Sequence, residues 1–205
     1  MTGVQTCALP ICRKGISTAA IISAGFCEAG EDGKTAEAEL EERRREYGMR
    51  LVGPNCLGII RPELNLNLTF LRRTPAAGGI AFFSQSGAMG SAVLDWAATV
   101  DVGFSAFVSV GNMVDVDFGD LIDYFGRDPR TTSIIMYMET VTGAADFMSA
   151  ARAFARSKPL LVIKAGKYER SAQAVASHTG SLAGRDAVYN AAFARAGVTR
   201  VDNIG

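Results

Sequence analysis

The chain has 205 residues, of which 48% are hydrophobic and 20% charged, and its 21 basic side chains equal its 21 acidic ones. This composition is typical of a globular protein, and the lack of a basic excess argues against binding to nucleic acid or to an anionic membrane. No apolar run is long enough to cross a bilayer and no secretory signal is recognisable, so the sequence predicts a cytoplasmic protein. The four cysteines have no metal-binding spacing and there is one histidine, so no metal site is predicted.

The first part of the chain contains an incomplete alternation of strands and helices. Residues 1–12 have neither helical nor strand periodicity and resemble translated adapter sequence, so we expect them to be non-native. An apolar run predicts a buried strand over residues 19–25, a charged run predicts a solvated helix over 35–47, and a second strand is predicted over 50–52. A polar connector with prolines follows, and we place a domain boundary in it, between about residues 66 and 78.

From residue 79 onward, apolar strands alternate regularly with amphipathic helices. The predicted strands span residues 79–83, 104–110, 133–138 and 159–164, and a fifth begins at residue 198. Continuous apolar strands that alternate with helices form parallel sheets covered on both faces. The predicted fold class is therefore α/β, with a doubly wound parallel sheet.

Polar or glycine-containing segments lie at the carboxyl ends of four predicted strands: Ser84-Gln85-Ser86-Gly87, Gly111-Asn112, Glu139 and Lys164-Ala165-Gly166. Ligands of open parallel sheets bind beyond the carboxyl ends of the strands, so these segments mark the predicted edge of a site. The first segment combines hydroxyl groups, a glycine and a helix start, which suits a bound phosphate as well as a simple helix cap. The Gly-x-Ser-x-Gly spacing of a nucleophile elbow is missing around both serines, and no Walker loop occurs.

The single histidine, His178, lies in the small-residue loop Ser177-His178-Thr179-Gly180-Ser181, ahead of an amphipathic run. A neutral imidazole can accept and pass on a phosphoryl group at neutral pH, and the amides of a following helix start would face the anion. A structural, hydrogen-bonded histidine is the alternative. Glu139 could accept a hydrogen bond from one ring nitrogen and leave the other to attack phosphorus, or it could be a surface carboxylate.

Six motifs occur in one order along the chain: Gly53-Pro54-Asn55-Cys56-Leu57-Gly58, Ser84-Gln85-Ser86-Gly87, Val110-Gly111-Asn112, Tyr137-Met138-Glu139, Lys164-Ala165-Gly166 and the loop that starts at Ser177. Together they resemble the NDP-forming acyl-CoA synthetases, the family of the ADP-forming acetate–CoA ligases and of the succinyl-CoA synthetase α subunit. The resemblance implies a flavodoxin-like ligase domain over residues 78–205, truncated at its carboxyl terminus. It also implies that residues 13–66 are the carboxyl-terminal part of a Rossmann-like CoA-binding domain.

The resemblance assigns expected roles to individual residues. His178 is expected to be transiently phosphorylated, and Glu139 is expected to steady its ring. The expected phosphate-binding residues are Ser84, Ser86, Gly87 and Gly180. Those expected near the thiol end of coenzyme A are Asn55 and Cys56.

The implied reaction interconverts an acyl-CoA, phosphate and ADP with the carboxylic acid, CoA and ATP, through an acyl phosphate. ADP or ATP with Mg²⁺ is expected on an ATP-grasp domain or a β subunit outside this chain, so the chain alone is expected to be incomplete. One alternative is an acyl-CoA-sensing regulatory module fused to a lysine acetyltransferase domain. The other alternative is a non-catalytic Rossmann-like binding domain.

Overall fold

A computed structural model of the chain describes residues 10, 11, 13–166 and 186–202. Its strands are β1 (Thr18–Ala20), β2 (Arg50–Val52), β3 (Gly58–Arg61), β4 (Leu66–Thr69), β5 (Ala77–Ser84), β6 (Phe104–Ser109), β7 (Ser133–Met138), β8 (Leu160–Lys164) and β9 (Thr199–Val201). Its longer helices are α1 (Glu31–Tyr47), α2 (Gly87–Thr99), α3 (Phe118–Arg127), α4 (Ala144–Ala155) and α5 (Asp186–Ala196). None of the described helices is long and apolar enough to cross a membrane.

The amino-terminal unit is a parallel pair of strands, β1 and β2, with α1 between them in sequence. Its small core contains Phe26, Leu40, Met49 and Leu51, so α1 contributes one buried leucine from an otherwise charged surface. Gly48 caps the carboxyl end of the helix, and its left-handed backbone (φ 62°) lets its N–H reach the carbonyls of Arg44 and Arg45. The three predicted domain ranges, 1–12, 13–66 and 78–205, stay predictions.

Among the described residues, the larger sheet has seven strands in the order β4-β3-β6-β5-β7-β8-β9. From β6 to β9 all neighbouring strands are parallel. If the five parallel strands β5 to β9 are numbered 1 to 5 in chain order, they lie in the order 2-1-3-4-5, which is the flavodoxin-like arrangement. The predicted α/β fold with a mostly parallel sheet is confirmed. The strand order reverses between β5 and β7, and such sheets bind ligands beyond the strand ends at that point.

Helices cover both faces of this sheet. Phe82 of β5 belongs to one core with Leu94 of α2. Its neighbours Ala81 and Phe83 belong to a second core with residues of α3, α4 and α5. Because successive side chains of a strand point to opposite faces, α2 lies on one face and α3, α4 and α5 lie on the other. The predicted double winding is therefore confirmed.

The segment predicted as a polar connector contains two strands that join the larger sheet. β3 pairs antiparallel with both β4 and β6, so the hairpin extends the sheet beyond β6. Each strand has only four residues, and in β4 the polar Asn67 and Thr69 alternate with leucines. The hairpin thus lacks the continuous apolar run by which the other strands were predicted. The expectation of a connector after Gly58 is therefore wrong as far as Thr69.

The first predicted strand is shorter than expected, because β1 ends at Ala20 rather than at residue 25. Beyond it, single backbone hydrogen bonds continue the contact with the next segment. The N–H of Ile21 donates to the carbonyl of Val52 at 2.9 Å. Regular pairing stops there because β2 ends at Val52 and the chain turns at Gly53, which has a φ of 99°.

Candidate functional site

The turn between β5 and α2 lies where the strand order reverses. Ser86 is the N-cap of α2, and its Oγ accepts a hydrogen bond from the N–H of Met89 at 3.3 Å. Ser84 is buried below the turn, and its hydroxyl donates to the carbonyl of Ser86 at 2.6 Å. Because α2 begins at Gly87, the amides of its first turn and the positive end of the helix face the space beyond the sheet. This arrangement can receive an anion, and the assignment of phosphate to these residues stays a prediction.

Gln85, in the same turn, ties β5 to the end of β7. Its Oε1 accepts hydrogen bonds from the N–H groups of Glu139 at 2.9 Å and Thr140 at 3.0 Å. Its Nε2 donates to Oγ1 of Thr140 at 2.9 Å. The N–H of Gln85 donates to the carbonyl of Tyr137 at 3.0 Å. One amide side chain therefore holds the two residues after β7 against the turn that starts α2.

Glu139 and Lys164 lie at the ends of neighbouring strands. The register of β7 and β8 pairs Met138 with Lys164, so Glu139 is the next residue beyond that pair. Glu139 is 6% exposed and Lys164 is 7% exposed. The structure thus buries an acidic and a basic side chain at the carboxyl edge of the sheet, and the sequence predicted a site at this edge.

Burial changes the acid–base behaviour of Lys164. Desolvation, and next the repulsion from Arg200, lower the pKa of Lys164 to about 8. The negative charges of Asp186 and Glu139 oppose this change in the pKa of the ammonium group. Its Nζ lies 4.4 Å from the ring centroid of Tyr189, a distance at which the ring attracts a cation. Lys164 is therefore a cation at neutral pH that loses its charge in mildly alkaline solution.

Replacing Lys164 with methionine is expected to raise the free energy of unfolding at pH 7 by about 1 kcal/mol. The pKa of this lysine is about 8 in the fold against 10.5 for the free group, so the unfolded chain binds the proton more tightly. The cost of burying the charged ammonium group applies in full below pH 8 and disappears as the pH rises toward 10.5. The variant also loses the contact with the aromatic ring, which offsets part of its gain in stability.

Urea unfolding of the full-length protein and its Lys164→Met variant at pH 7 and at about pH 10 measures this difference. The advantage of the variant should shrink at the higher pH. Lys34→Met is the matched control, because Lys34 is exposed and its ion pair with Glu31 raises its pKa. A stability difference that is the same at both pH values would contradict the buried charge.

The turn after β2 carries the two residues predicted near coenzyme A. Asn55 has a left-handed backbone (φ 55°), and its Nδ2 donates to Oδ1 of Asn112 at 3.3 Å. Cys56 is buried, and its thiol donates to the carbonyl of Ile21 at 3.3 Å. Burial raises the pKa of Cys56 to about 11. The thiol is therefore protonated at neutral pH and is a structural donor rather than a nucleophile.

Asn112, just beyond β6, connects this turn to the amino-terminal unit. Its Nδ2 donates to Oε2 of Glu28 at 2.7 Å and to Oε2 of Glu37 at 2.8 Å. Its N–H donates to the carbonyl of Pro54 at 3.0 Å. The preceding Gly111 has a φ of 57°, and a Cβ there would collide with the carbonyl of Pro54. The end of β6 and the turn after β2 are thus in backbone contact that requires glycine.

The two turns line one cavity of about 370 Å³, which we call the turn cavity. Asn55 and Cys56 contribute to one part of its wall, and Ser86 and Gly87 contribute the start of α2. Its apolar lining includes Ile22, Leu57, Phe70 and Leu71. The volume lies within the range of small-molecule sites. The structure therefore brings four of the predicted site residues together around a space that offers helix amides, a polar turn and an apolar wall.

His178 and Gly180 lie outside the described residues. Their predicted roles stay predictions, and so does the hydrogen bond between His178 and Glu139. The helix predicted after this loop is described from Asp186, where α5 begins.

Residues 77–205 match the family model of the succinyl-CoA ligase like flavodoxin domain. The chain belongs to this family, and the resemblance to the ADP-forming acyl-CoA synthetases is confirmed. The α subunit of ADP-forming acetate–CoA ligase I from Pyrococcus furiosus is 48% identical over 193 residues, which cover 94% of this chain and 42% of the relative. ADP-forming acetate–CoA ligase I from Archaeoglobus fulgidus is 48% identical over 192 residues, which cover 94% of this chain and 28% of the relative.

A solved structure shows the same fold. It is the dinucleotide forming acetyl-coenzyme A synthetase 1 of Ca. Korarchaeum cryptofilum in complex with phosphate and ADP, with a TM-score of 0.93 and 38% identity. The match covers 98% of this chain and 43% of that one, so the chain spans less than half the length of these relatives. Their names are those of ligases and synthetases, which does not support the regulatory alternative.

Sequence reasoning gave no individual role to Gln85 and Asn112. Gln85 directly follows β5, and Asn112 lies shortly beyond the end of β6. Both belong to motifs at strand ends, and this position was the signal that could have identified them. Gln85 is 54 residues from Glu139 in sequence, and Asn112 is 84 residues from Glu28. Local patterns do not reveal side-chain partners at such separations.

Proposed function

We propose that this chain is part of an ADP-forming acyl-CoA synthetase, which interconverts an acyl-CoA, phosphate and ADP with the carboxylic acid, CoA and ATP. The observation that carries the proposal is the turn cavity, because the start of α2 and the turn with Asn55 and Cys56 line the same space. That space adjoins the point where the strand order reverses. The identity of 48% to an acetate–CoA ligase α subunit supports the proposal.

In the first step, a phosphate oxygen attacks the carbonyl carbon of the thioester. The carbon–sulfur bond breaks, the sulfur takes up the proton that the attacking phosphate loses and leaves as CoA, and an acyl phosphate remains. The amides and the positive end of α2, beginning at Gly87, stabilise the phosphate and the developing oxyanion. Asn55 uses one amide proton toward Asn112 and has a second one for the substrate.

In the second step, a ring nitrogen of His178 attacks the phosphorus of the acyl phosphate. The bond from phosphorus to the acyl oxygen breaks, and the carboxylate leaves. Glu139, whose N–H is held by Gln85, accepts a hydrogen bond from the other ring nitrogen and keeps the reactive tautomer. The cation of Lys164 at the neighbouring strand end reduces the cost of gathering negative charge at this edge.

The phosphohistidine then passes its phosphoryl group to ADP. ADP and its Mg²⁺ bind to an ATP-grasp region or to a separate β subunit. The predicted compartment of the reaction is the cytoplasm. The subunit name of the Pyrococcus furiosus relative supports a partner of this kind. Residues at the start of α2 bind only the phosphoryl and acyl groups in this scheme.

Labelling of the full-length protein tests the proposal. With acetyl-CoA and ³²P-phosphate, the protein should acquire an acid-labile, alkali-stable label, because phosphoramidates hydrolyse in acid. His178→Ala should abolish the label, whereas the neighbouring Ser181→Ala should retain it. A label of the same size and acid lability in the His178→Ala variant would refute the phosphohistidine.

A further inference from the structure

A second cavity lies beside the turn cavity. It has a volume of about 700 Å³ and is enclosed by residues 70–76 and α2, so we call it the connector cavity. Leu94, Ala97 and Ala98 of α2 give it an apolar side. Phe70 and Leu71 line both cavities. These two residues therefore form a partition between a smaller space at the start of α2 and a larger space along the same helix.

The backbone of the partition is braced by hydrogen bonds. Oδ1 of Asn67 accepts from the N–H of Thr69 at 3.1 Å and from its Oγ1 at 2.6 Å. Nδ2 of Asn67 donates to the carbonyl of Leu71 at 3.4 Å and to Oγ1 of Thr74 at 3.3 Å. The N–H of Leu71 donates to Oγ1 of Thr69 at 3.0 Å. The chain around Phe70 is thus held in place by its own polar side chains.

The two side chains of the partition differ in burial. Leu71 packs against the core that contains Leu57 and Leu94. Phe70 is 69% exposed, so its ring contributes little to the core. An exposed aromatic ring at the rim of a cavity gains free energy when an apolar ligand covers it. Removal of the Phe70 ring changes the cavity and leaves the core intact.

We propose that Phe70, supported by Leu71, limits the length of the acyl group by separating the turn cavity from the connector cavity. This inference rests on the proposed function. The turn cavity, at 370 Å³, lies near the small end of ligand sites, so short aliphatic carboxylic acids are the substrate class. Without the ring, the tail of a longer acid passes into the connector cavity along the apolar side of α2.

Kinetics of the full-length enzyme with its nucleotide-binding part test the partition. With saturating CoA and ATP, kcat/KM is measured for acetate, butyrate and hexanoate. Phe70→Ala is expected to raise the ratio of kcat/KM for hexanoate to that for acetate by about tenfold or more, since each added methylene can contribute such a factor. Phe70→Trp is expected to lower the ratio of kcat/KM for butyrate to that for acetate. Tyr124→Ala is the matched control, because Tyr124 is an aromatic residue of α3, 63% exposed and outside both cavities.

Each outcome decides between distinct conclusions. An unchanged ratio in Phe70→Ala overturns the partition while wild-type turnover upholds the proposed function. A higher KM for CoA with an unchanged acid ratio assigns the connector cavity to the arm of CoA and also overturns the partition. A wild-type enzyme that activates none of the three acids overturns short aliphatic acids as the substrate class, and the partition with it.

Discussion

Replacing Glu139 with glutamine is expected to slow the phosphorylation of His178 by about 100-fold, a typical loss when an orienting carboxylate is removed. The carboxylate is buried, and its backbone N–H is held by Gln85, which the change leaves in place. A neutral amide neither stabilises the positive charge of the ring during attack nor selects one tautomer. Rapid-quench labelling with acetyl-CoA and ³²P-phosphate measures the rate.

Two further measurements separate a role in orientation from a loss of structure. Glu63→Gln is the control, because Glu63 is a partly exposed carboxylate paired with Arg130 at 2.8 Å, and its labelling rate should equal that of the wild type. Since Glu139 raises the pKa of Lys164, its removal should also shift the alkaline limb of the pH profile to lower pH. An unchanged labelling rate with an unchanged pH profile would rule out the orienting role.

Gln85→Leu is expected to lower the free energy of unfolding by about 3 kcal/mol and to abolish labelling. Leucine has a similar size but accepts no hydrogen bonds, so the N–H groups of Glu139 and Thr140 lose their acceptor in a buried region. An unsatisfied buried amide costs about 1–3 kcal/mol. Urea unfolding measures the stability, and the labelling assay measures the function.

Gln85→Glu provides the matched comparison for the same position. A carboxylate still accepts from both N–H groups, and the Thr140 hydroxyl can turn to donate to it. We therefore expect a stability within about 1 kcal/mol of the wild type, combined with a higher KM for phosphate because a negative charge is added beside the helix start. Equal stability of the leucine variant and the wild type would show that other groups satisfy the two amides.

The sequence was sufficient to predict the regular parts of the larger sheet. The strand Ser133–Met138 coincides with its predicted range, because it is an almost continuous apolar run. In the smaller sheet, Arg50–Val52 also coincides with its predicted range. The hairpin of β3 and β4 was missed for the converse reason, since both strands have only four residues and β4 alternates leucines with polar residues, as a connector can. Its pairing with β6 depends on contacts between distant parts of the chain, which a local pattern does not encode.

The candidate site was predictable in position but not in detail. Ser86, Gly87 and Glu139 follow strands whose carboxyl ends meet, so topology alone places them at one edge. That Asn55 and Cys56 line the same cavity as Ser86 follows from how the turn after β2 packs on β6 at Gly111. The hydrogen bonds of Gln85 and the burial that lowers the pKa of Lys164 likewise arise only from packing between strands.

The antiparallel hairpin has a consequence for anyone who wishes to isolate the carboxyl-terminal domain. The family match begins at residue 77, yet β3 and β4 lie before it and supply the neighbour of β6. All six residues of β6 are buried, so a protein starting at residue 77 would expose a bare, apolar rim with unpaired backbone groups. An unpaired edge strand of this kind pairs with strands of other molecules and causes aggregation. A soluble excised domain would therefore have to begin upstream of Gly58.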